Sequence, residues 1–297
     1  MIRSRSWATR IADAVIVGSL LFLSFLTLAP LVHTIAQSFS NGAAAAANEV
    51  TFWPIRFTLS SYAALFNGGG FFRAFGISVE RVILNGVLGF FLTILMAYPL
   101  SKSPRDFPAR RIYIWVVVFT MLFNGGLIPW YITIAHLGLI NTIWALVLPG
   151  ALPVFNVILL VNYFQSLPKE LDEAARLDGA NPWYVCWKIY VPLSLPALAT
   201  VTLFSIVGQW NSFFDGFILI NNPHNYPLMT FIQQLVVETQ AANLSILTPS
   251  QIAELSRTSG PSLNAAKYMI GMIPMLVIYP FLQRYFIRGI RLGSTNE

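Results

Sequence analysis

Charge is what this sequence has least of. Only 10% of its 297 residues are Asp, Glu, Lys or Arg, and 56% are hydrophobic, whereas soluble domains carry about a quarter charged residues. That scarcity, with apolar runs recurring along the chain, excludes the soluble, single-span and fibrous classes. A single cysteine, Cys186, excludes an internal disulfide and any cysteine-based metal site, and its ordinary role is that of a small apolar residue. The three histidines, His33, His136 and His224, are far apart and none belongs to an H-E-x-x-H pair, so no metal ligand set is encoded. No lysine follows a glycine, which rules out a G-x-x-x-x-G-K-[ST] phosphate loop, and the G-x-S-x-G nucleophile motif is missing too. The sequence does not read as an enzyme. Any energised function needs its engine on another chain.

What is present is a series of apolar runs, each near the roughly 20 residues that cross a hydrocarbon core of about 30 Å as a helix. They lie at about Ile11–Phe39, Phe75–Leu100, Ile112–Ala135, Thr142–Gln165, Leu195–Ile220 and Tyr268–Phe286. The expected fold is therefore an all-α integral membrane protein with six transmembrane helices. Arg3, Arg5 and Arg10 before the first run give the order of a signal peptide, but the run is too long for one and is read as an uncleaved span. Cleavage near the Ala43–Ala47 tract is the alternative. Residues 1–74 form an N-terminal helix with an outward loop whose aromatics Phe52, Trp53 and Phe57 suggest order. Residues 75–290 form the main transmembrane domain, and 291–297 a short tail. Asn124-Gly125-Gly126 and Pro129 interrupt the third span, and Pro149 and Pro153 the fourth.

The basic residues orient these spans. Three precede the first span, four lie between residues 102 and 111, three fall in residues 166–192 and three, Arg284, Arg288 and Arg291, lie at and beyond the end of the sixth span, against Arg56, Arg73, Arg257 and Lys267 in the opposite loops. Excess Lys and Arg mark the cytoplasmic side, so both termini and the 166–192 insert are expected there. The same asymmetry accounts for the net charge of +6 without invoking nucleic acid. The long loops face outward.

The insert is the most charged stretch between two apolar ones. Ser166 is placed to cap a first helix with Pro168 in its opening turn, Gly179 to end it, and Asn181-Pro182 to start a second, which Pro192 and Pro196 end. Leu171, Ala174 and Ala175 make a narrow apolar strip, with Asp172, Glu173, Arg176 and Asp178 elsewhere. Glu173-Ala174-Ala175, three residues, Gly179, nine residues, then Ile189-Tyr190-Val191-Pro192 resembles the EAA loop of ATP-binding-cassette importer permeases, with Val191 where the family usually has Leu. Asp178-Gly179-Ala180 and Pro196 are similar to the sugar-importer branch, and the resemblance runs from about residue 75 to the C-terminus.

The resemblance implies a permease subunit whose insert is a coupling helix docked on a separate ATPase. Glu173, Ala174, Ala175, Asp178, Gly179, Ile189 and Pro192 would carry that contact. It also implies the partners: a homologous permease, two ATPase subunits that bind ATP and Mg, an extracytoplasmic solute-binding protein touched by loop 221–266, and a bacterial inner-membrane location. The Gly289–Glu297 tail reaches the ATPase in relatives. Oligo- and polysaccharide importers, including the alginate-type system, are the nearest branch.

For the substrate path, Gln209, Trp210, Asn211 and Asp215 put polar groups near membrane depth, which is costly unless they face water or one another. Aromatic faces and amides suit saccharide rings and hydroxyls. Asn85, Asn124, Asn156 and Asn162 are further candidates, for which hydrogen bonding between helices is the plain reading. Asp215 has two open roles, in the path or paired with an Arg of a neighbouring subunit, and if unpaired it sits uneasily beside an anionic uronate chain. Gly86 with Gly89, and Gly125 with Gly126, would allow close helix approach, and could line the subunit contact. Two rival classes remain: a secondary transporter or channel, for which only Asp215 could couple an ion and no repeat is visible, and a membrane assembly partner, which leaves the polar fifth span unexplained.

Overall fold

The computed structural model describes residues 7–67, 69–242 and 260–293, and every described element is helical. The chain divides into two compact units, Met1–Gly69 with Gln234–Met272, and Gly70–Gln233 with Ile273–Glu297.

In the first unit α1 (Trp7–Ser38) presents apolar side chains outward along its length, with none of its most apolar window buried. The loop after it is ordered, as its aromatics suggest. Asn41 caps the short α2 (Gly42–Ala46) through its Oδ1, Phe39 stacks on Phe57 at 5.5 Å, and α3 (Ser60–Asn67) follows. Ser262 ties the unit together, donating to the Ser40 carbonyl at 2.8 Å and meeting the Ser61 hydroxyl at 2.6 Å.

The second unit is built on α4 (Phe71–Ser101). Its buried residues Ala74, Ser78, Arg81, Asn85, Gly89, Thr93 and Ala97 recur every three or four positions, so they form one stripe. That stripe is small or polar, while Phe72, Ile83, Val87 and Phe91 are exposed, the reverse of a soluble helix and the arrangement expected in lipid. On it pack α8 (Val154–Ser166) and α11 (Leu195–Asn211), with Ile94, Ala97, Leu160, Phe164 and Leu198 in the shared core.

The expected spans are shaped differently in several places. The third is two helices, α5 (Arg110–Leu122) and α6 (Leu127–His136), bent by 114°. Asn124 Oδ1 accepts the Gly126 N–H at 2.9 Å and so stabilises the break. The fourth is α7 (Ile143–Val147) and then α8, separated at Pro149 and Pro153. The fifth is not continuous: α11 stops at Asn211 and a short α12 (Phe214–Leu219) restarts beyond Ser212. The Asp215 carboxylate there accepts from the Ser212 hydroxyl and the Gly216 N–H at 2.8 and 3.0 Å, side-chain bonds that compete with the helical ladder.

The stretch from Asn221 to Ala266 is not a plain loop. It holds a 3₁₀ turn at Pro223–Asn225, α13 (Leu228–Ala242) and the start of α14 (Pro261–Gly293). Leu228, Ile232 and Val236 are buried at a spacing of four, a helical signal the polar residues between them obscured. Gly260-Pro261 opens a helix instead of a turn, because proline is at home in a first helical turn. Lys267, expected in an outward loop, is buried within α14, donating to the Leu235 carbonyl at 3.3 Å and Asn264 Oδ1 at 3.1 Å. Residues 243–259 and 294–297, where part of the expected binding-protein loop and the end of the tail fall, lie outside the described residues.

Among the described residues three helices are long and apolar enough to cross a membrane: Thr9–Ser38, Phe71–Ser101 and Pro261–Pro280. The number becomes five if each of the two bent pairs, α5 with α6 and Pro182–Leu193 with α11, is one span.

Candidate functional site

The insert folds as two helices around a glycine turn. α9 (Lys169–Leu177) begins after Pro168, which occupies the cap position itself. Ser166 does not cap it: that hydroxyl belongs to the last turn of α8 and donates to the Tyr163 carbonyl at 2.7 Å. At the other end Gly179 N–H donates to the Arg176 carbonyl at 3.0 Å and Ala180 N–H to the Ala175 carbonyl at 2.9 Å. This paired closure requires a left-handed residue, and Gly179 supplies φ +77°. The spacing between the second alanine and the glycine thus has a structural cause, since Ala175 and Gly179 are the two ends of one helix-terminating motif. Ala175 is buried, whereas Glu173, Ala174, Asp178 and Gly179 are exposed and Glu173 has no partner among the described residues.

Asn181 Oδ1 accepts the Tyr184 N–H at 2.8 Å and so starts α10 (Pro182–Leu193). Pro192 does not end that helix. The backbone widens into a π turn over Cys186–Tyr190, in which Val191 N–H reaches back to the Cys186 carbonyl, and Pro192 is carried inside the helix, which stops at Ser194. Ile189 is half-buried and Pro192 exposed. Leu177 at 89% exposure, Trp183 at 63% and Tyr184 at 55% add an apolar component to the same surface.

An ion-pair chain that sequence reasoning missed fixes α9 in place. Lys102 Nζ donates to Asp172 Oδ1 at 2.8 Å, Arg176 bonds Asp172 at 2.9 Å and Asp106 at 2.6 Å, and Ser103 donates to Asp106 at 2.8 Å. Hydrogen bonding from Arg176 and Ser103 holds the Asp106 carboxyl below the usual range. Burial lowers the Lys102 ammonium, and Asp172 partly restores it. Between α9 and the 101–110 loop lies a groove of about 850 Å³, walled by Arg105, Arg110, Lys169 and Glu173 among others. The charge alternation Asp172, Arg176 on one helix face and Lys102, Asp106 four residues apart was the available signal.

The polar residues of the fifth span divide into separate environments. Arg81, 1% exposed, donates from Nε to Gln209 Oε1 at 2.8 Å, from Nη1 to Ser212 O at 3.4 Å and Asp215 Oδ1 at 3.2 Å, and from Nη2 to Asp215 Oδ2. Asp215 is therefore paired with an Arg of its own chain, where a neighbouring subunit's Arg was the alternative to a place in the path. Trp210 is buried, edge-on to Phe75 at 5.8 Å. Asn156 donates to the Val201 carbonyl at 3.0 Å and Ser205 at 2.9 Å, which joins α8 to α11. Asn85, fully buried, donates to the Val147 carbonyl at 3.0 Å and leaves Oδ1 unpartnered. Asn211 and Asn162 are exposed, and Gln209 is half-buried against Gly150. Gly89 is used inside the chain, where a Cβ would come within 2.7 Å of the Ala151 carbonyl oxygen; Gly86, Gly125 and Gly126 face open space.

The model of the family described as "Binding-protein-dependent transport system inner membrane component" matches residues 69–292. The polygalacturonan/rhamnogalacturonan transport system permease protein YtcP of Bacillus subtilis (strain 168) is 34% identical over 290 residues, 97% of this chain and 99% of that one. Protein LplC of the same organism is 37% identical over 273 residues, 91% and 90% of the two chains. The crystal structure of a bacterial ABC transporter involved in the import of the acidic polysaccharide alginate superposes with a TM-score of 0.82 at 29% identity, covering 95% of this chain and 98% of its counterpart. With a family match over residues 69–292, and relatives of that identity along nearly the whole length, this chain belongs to the family of binding-protein-dependent transport system inner membrane components.

Proposed function

We propose that the chain is the permease subunit of an ATP-binding-cassette importer that carries a uronate-rich oligosaccharide, of the alginate or polygalacturonan kind, across the bacterial inner membrane by alternating access. The observation that carries this reading is the insert: a short helix closed by a glycine turn, with Glu173, Ala174, Asp178 and Gly179 all exposed and an unpartnered carboxylate at its centre. Such a surface suits docking on a partner's cationic groove. The ATPase subunits, with ATP and Mg, are separate chains, as are a second permease and the extracytoplasmic binding protein. Six spans with both termini and the insert in the cytoplasm agree with the placement of basic residues.

The substrate class is supported by the relatives named for acidic polysaccharides and by the pairing of Asp215 with Arg81, which neutralises the carboxylate that would otherwise repel a uronate. Asn211, which is exposed, is the path residue of choice, with Gln209 beside it half-buried and held by Arg81. Asn85, Asn156 and Trp210 would support the path from behind, through the helix contacts they make.

The test is ATP hydrolysis and uptake by the reconstituted complex, with binding protein loaded with alginate or galacturonate oligosaccharides. Stimulation by a loaded binding protein is expected. Glu173→Lys or Gly179→Pro should leave a folded permease whose ATP hydrolysis no longer drives uptake, since the first reverses the docking charge and the second removes both the positive φ and the N–H bonded to Arg176. Wild-type uptake in either variant defeats the coupling role, and hydrolysis indifferent to every saccharide defeats the substrate class.

A further inference from the structure

Several segments of the second unit converge on one ammonium. Lys102 stands at the C-terminal cap of α4, with its side chain only 10% exposed. Its Nζ lies 4.2 Å over the ring of Tyr98, in the last turn of α4, and 4.0 Å over the ring of Tyr190, in α10. It also donates to Asp172 of α9 at 2.8 Å. The two tyrosines meet edge to face at 5.2 Å, and Tyr190 meets Phe164 of α8 in the same way at 5.4 Å.

Among the described residues the other side-chain polar bond of α9 to another element runs through Arg176, which holds Asp106 in the loop beyond α4. Lys102 is where the charged face of α9 reaches a long helix of the unit. A cation seated in the corner of two near-perpendicular rings loses a contact when it leaves either face, and its bond to a carboxylate adds a third attachment. An apolar side chain could fill the same space, but it would leave α9 held by the packing of Ala175 and the Arg176–Asp106 bond, without its polar bond to the end of α4.

We propose that Lys102 is the positioning residue by which α9 moves α4, so that displacement of α9 pulls Asp172, the caged ammonium and the end of α4 as one body. This rests on the reading of α9 as the coupling helix. The role is one of transmission: Lys102 touches neither the saccharide nor the nucleotide.

The test uses the full importer in proteoliposomes, read as saccharide imported per ATP hydrolysed, with K102M, K102R, D172N and the K102M/D172N double variant. An E170C reporter in each background, at an exposed position of α9 outside the docking residues, measures cross-linking of α9 to the ATPase. Methionine fills most of the lysine's volume against the rings and removes the charge together with the hydrogen bond to Asp172. K102M is expected to lower the import ratio about five- to tenfold, within the usual range of coupling between sites, with cross-linking unchanged. K102R is expected to restore most of it, since a guanidinium can bond the carboxylate and stack on the rings. D172N should fall comparably, and the double variant should fall no further than the worse single one.

A wild-type ratio in assembled, cross-linked K102M overturns the proposal, and so does a K102R as defective as K102M. Should K102M fail to assemble, D172N keeps the ammonium between the rings and carries the same readout, with a wild-type ratio there as the overturning result. Absence of cross-linking with Lys102 intact would identify the coupling-helix reading as the part that fails, and the proposal would fall with it.

Discussion

Removing the Asp215 carboxylate should cost far more than removing the Arg81 guanidinium, although each change breaks the same pair. Arg81 has a side chain 2% exposed and Asp215 one 17% exposed. In Asp215→Ala the guanidinium stays buried with only the Gln209 amide oxygen and the Ser212 carbonyl, the latter at a long 3.4 Å. Stranding a buried charge in this way costs about 3–5 kcal/mol. In Arg81→Met the carboxylate keeps the Ser212 hydroxyl and the Gly216 N–H, at 2.8 and 3.0 Å, and some solvent. The loss is then nearer the worth of charged hydrogen bonds, about 1.5–3 kcal/mol. The double variant Arg81→Met with Asp215→Leu removes both charges and should be more stable than Asp215→Ala alone, because replacing a whole buried pair by apolar groups is often close to neutral. Thermal unfolding of the purified importer in lipid nanodiscs, followed by circular dichroism, would give the order of the three. Asp215→Ala within about 0.5 kcal/mol of wild type, the scatter of ordinary surface changes, would refute the claim that the pair is buried. A double variant worse than either single one would refute the claim that the two charges answer each other.

Gly89→Ala and Gly86→Ala should have opposite effects in the same unfolding experiment. The first puts a Cβ 2.7 Å from the Ala151 backbone oxygen and should cost about 1–3 kcal/mol; the second meets open space and should gain up to about 1 kcal/mol from helix propensity. At the α9 ion pairs, folding lowers the Asp106 carboxyl through its bonds to Arg176 and Ser103. The resulting stability is therefore present above the ordinary aspartate pKa near 4 and disappears as pH falls through the depressed one. Because the side chain is 34% exposed, solvent screens the pair to about 0.2–1 kcal/mol. Asp106→Asn should remove a small acid-side loss of stability that added salt also weakens, and an unchanged pH profile would contradict the assignment.

The turn at the centre of the insert was legible because its grammar is local. Gly179, Asn181 and Pro182 each act within four positions of the backbone they serve, and the sequence shows all such neighbours. The failures share the opposite cause. Ser166 looked like a cap because serine favours that position just before a helix, and the preceding helix claimed its hydroxyl. Pro192 looked like a terminator because the rule assumes an α-helical ladder, whereas a π turn just before it changed which carbonyl was in register. Asp215 and Arg81 are 134 residues apart, so nothing local paired them. Yet two opposite charges in apolar helices are each costly alone, and that argument could have joined them. The helix from Leu228 was hidden because Thr230, Gln233 and Gln234 lowered its hydropathy below a membrane threshold, although Leu228, Ile232 and Val236 kept the period of a buried face.

The two charged clusters of the second unit have α4 in common. Lys102 follows Arg81 by 21 residues, which at 1.5 Å per residue is roughly 31 Å, about the thickness of a hydrocarbon core. Near one end of that interval the caged ammonium joins α4 to α9. At the other the guanidinium joins α4 to Gln209, Ser212 and Asp215, where the fifth apolar stretch breaks between α11 and α12. Between them α4 is continuous, with Pro99 in its last turn as the single internal proline, and small buried residues such as Gly89 and Ala97 hold it close to its neighbours. An unbroken helix cannot shift one end without tilting or translating the other. A displacement taken up at Lys102 therefore reaches the α11–α12 break without any chain of side-chain rearrangements through the core. On the proposed role of Lys102 the backbone of α4 is itself the connection, and its buried polar residues Ser78, Arg81, Asn85 and Thr93 hold it to its neighbours along its length.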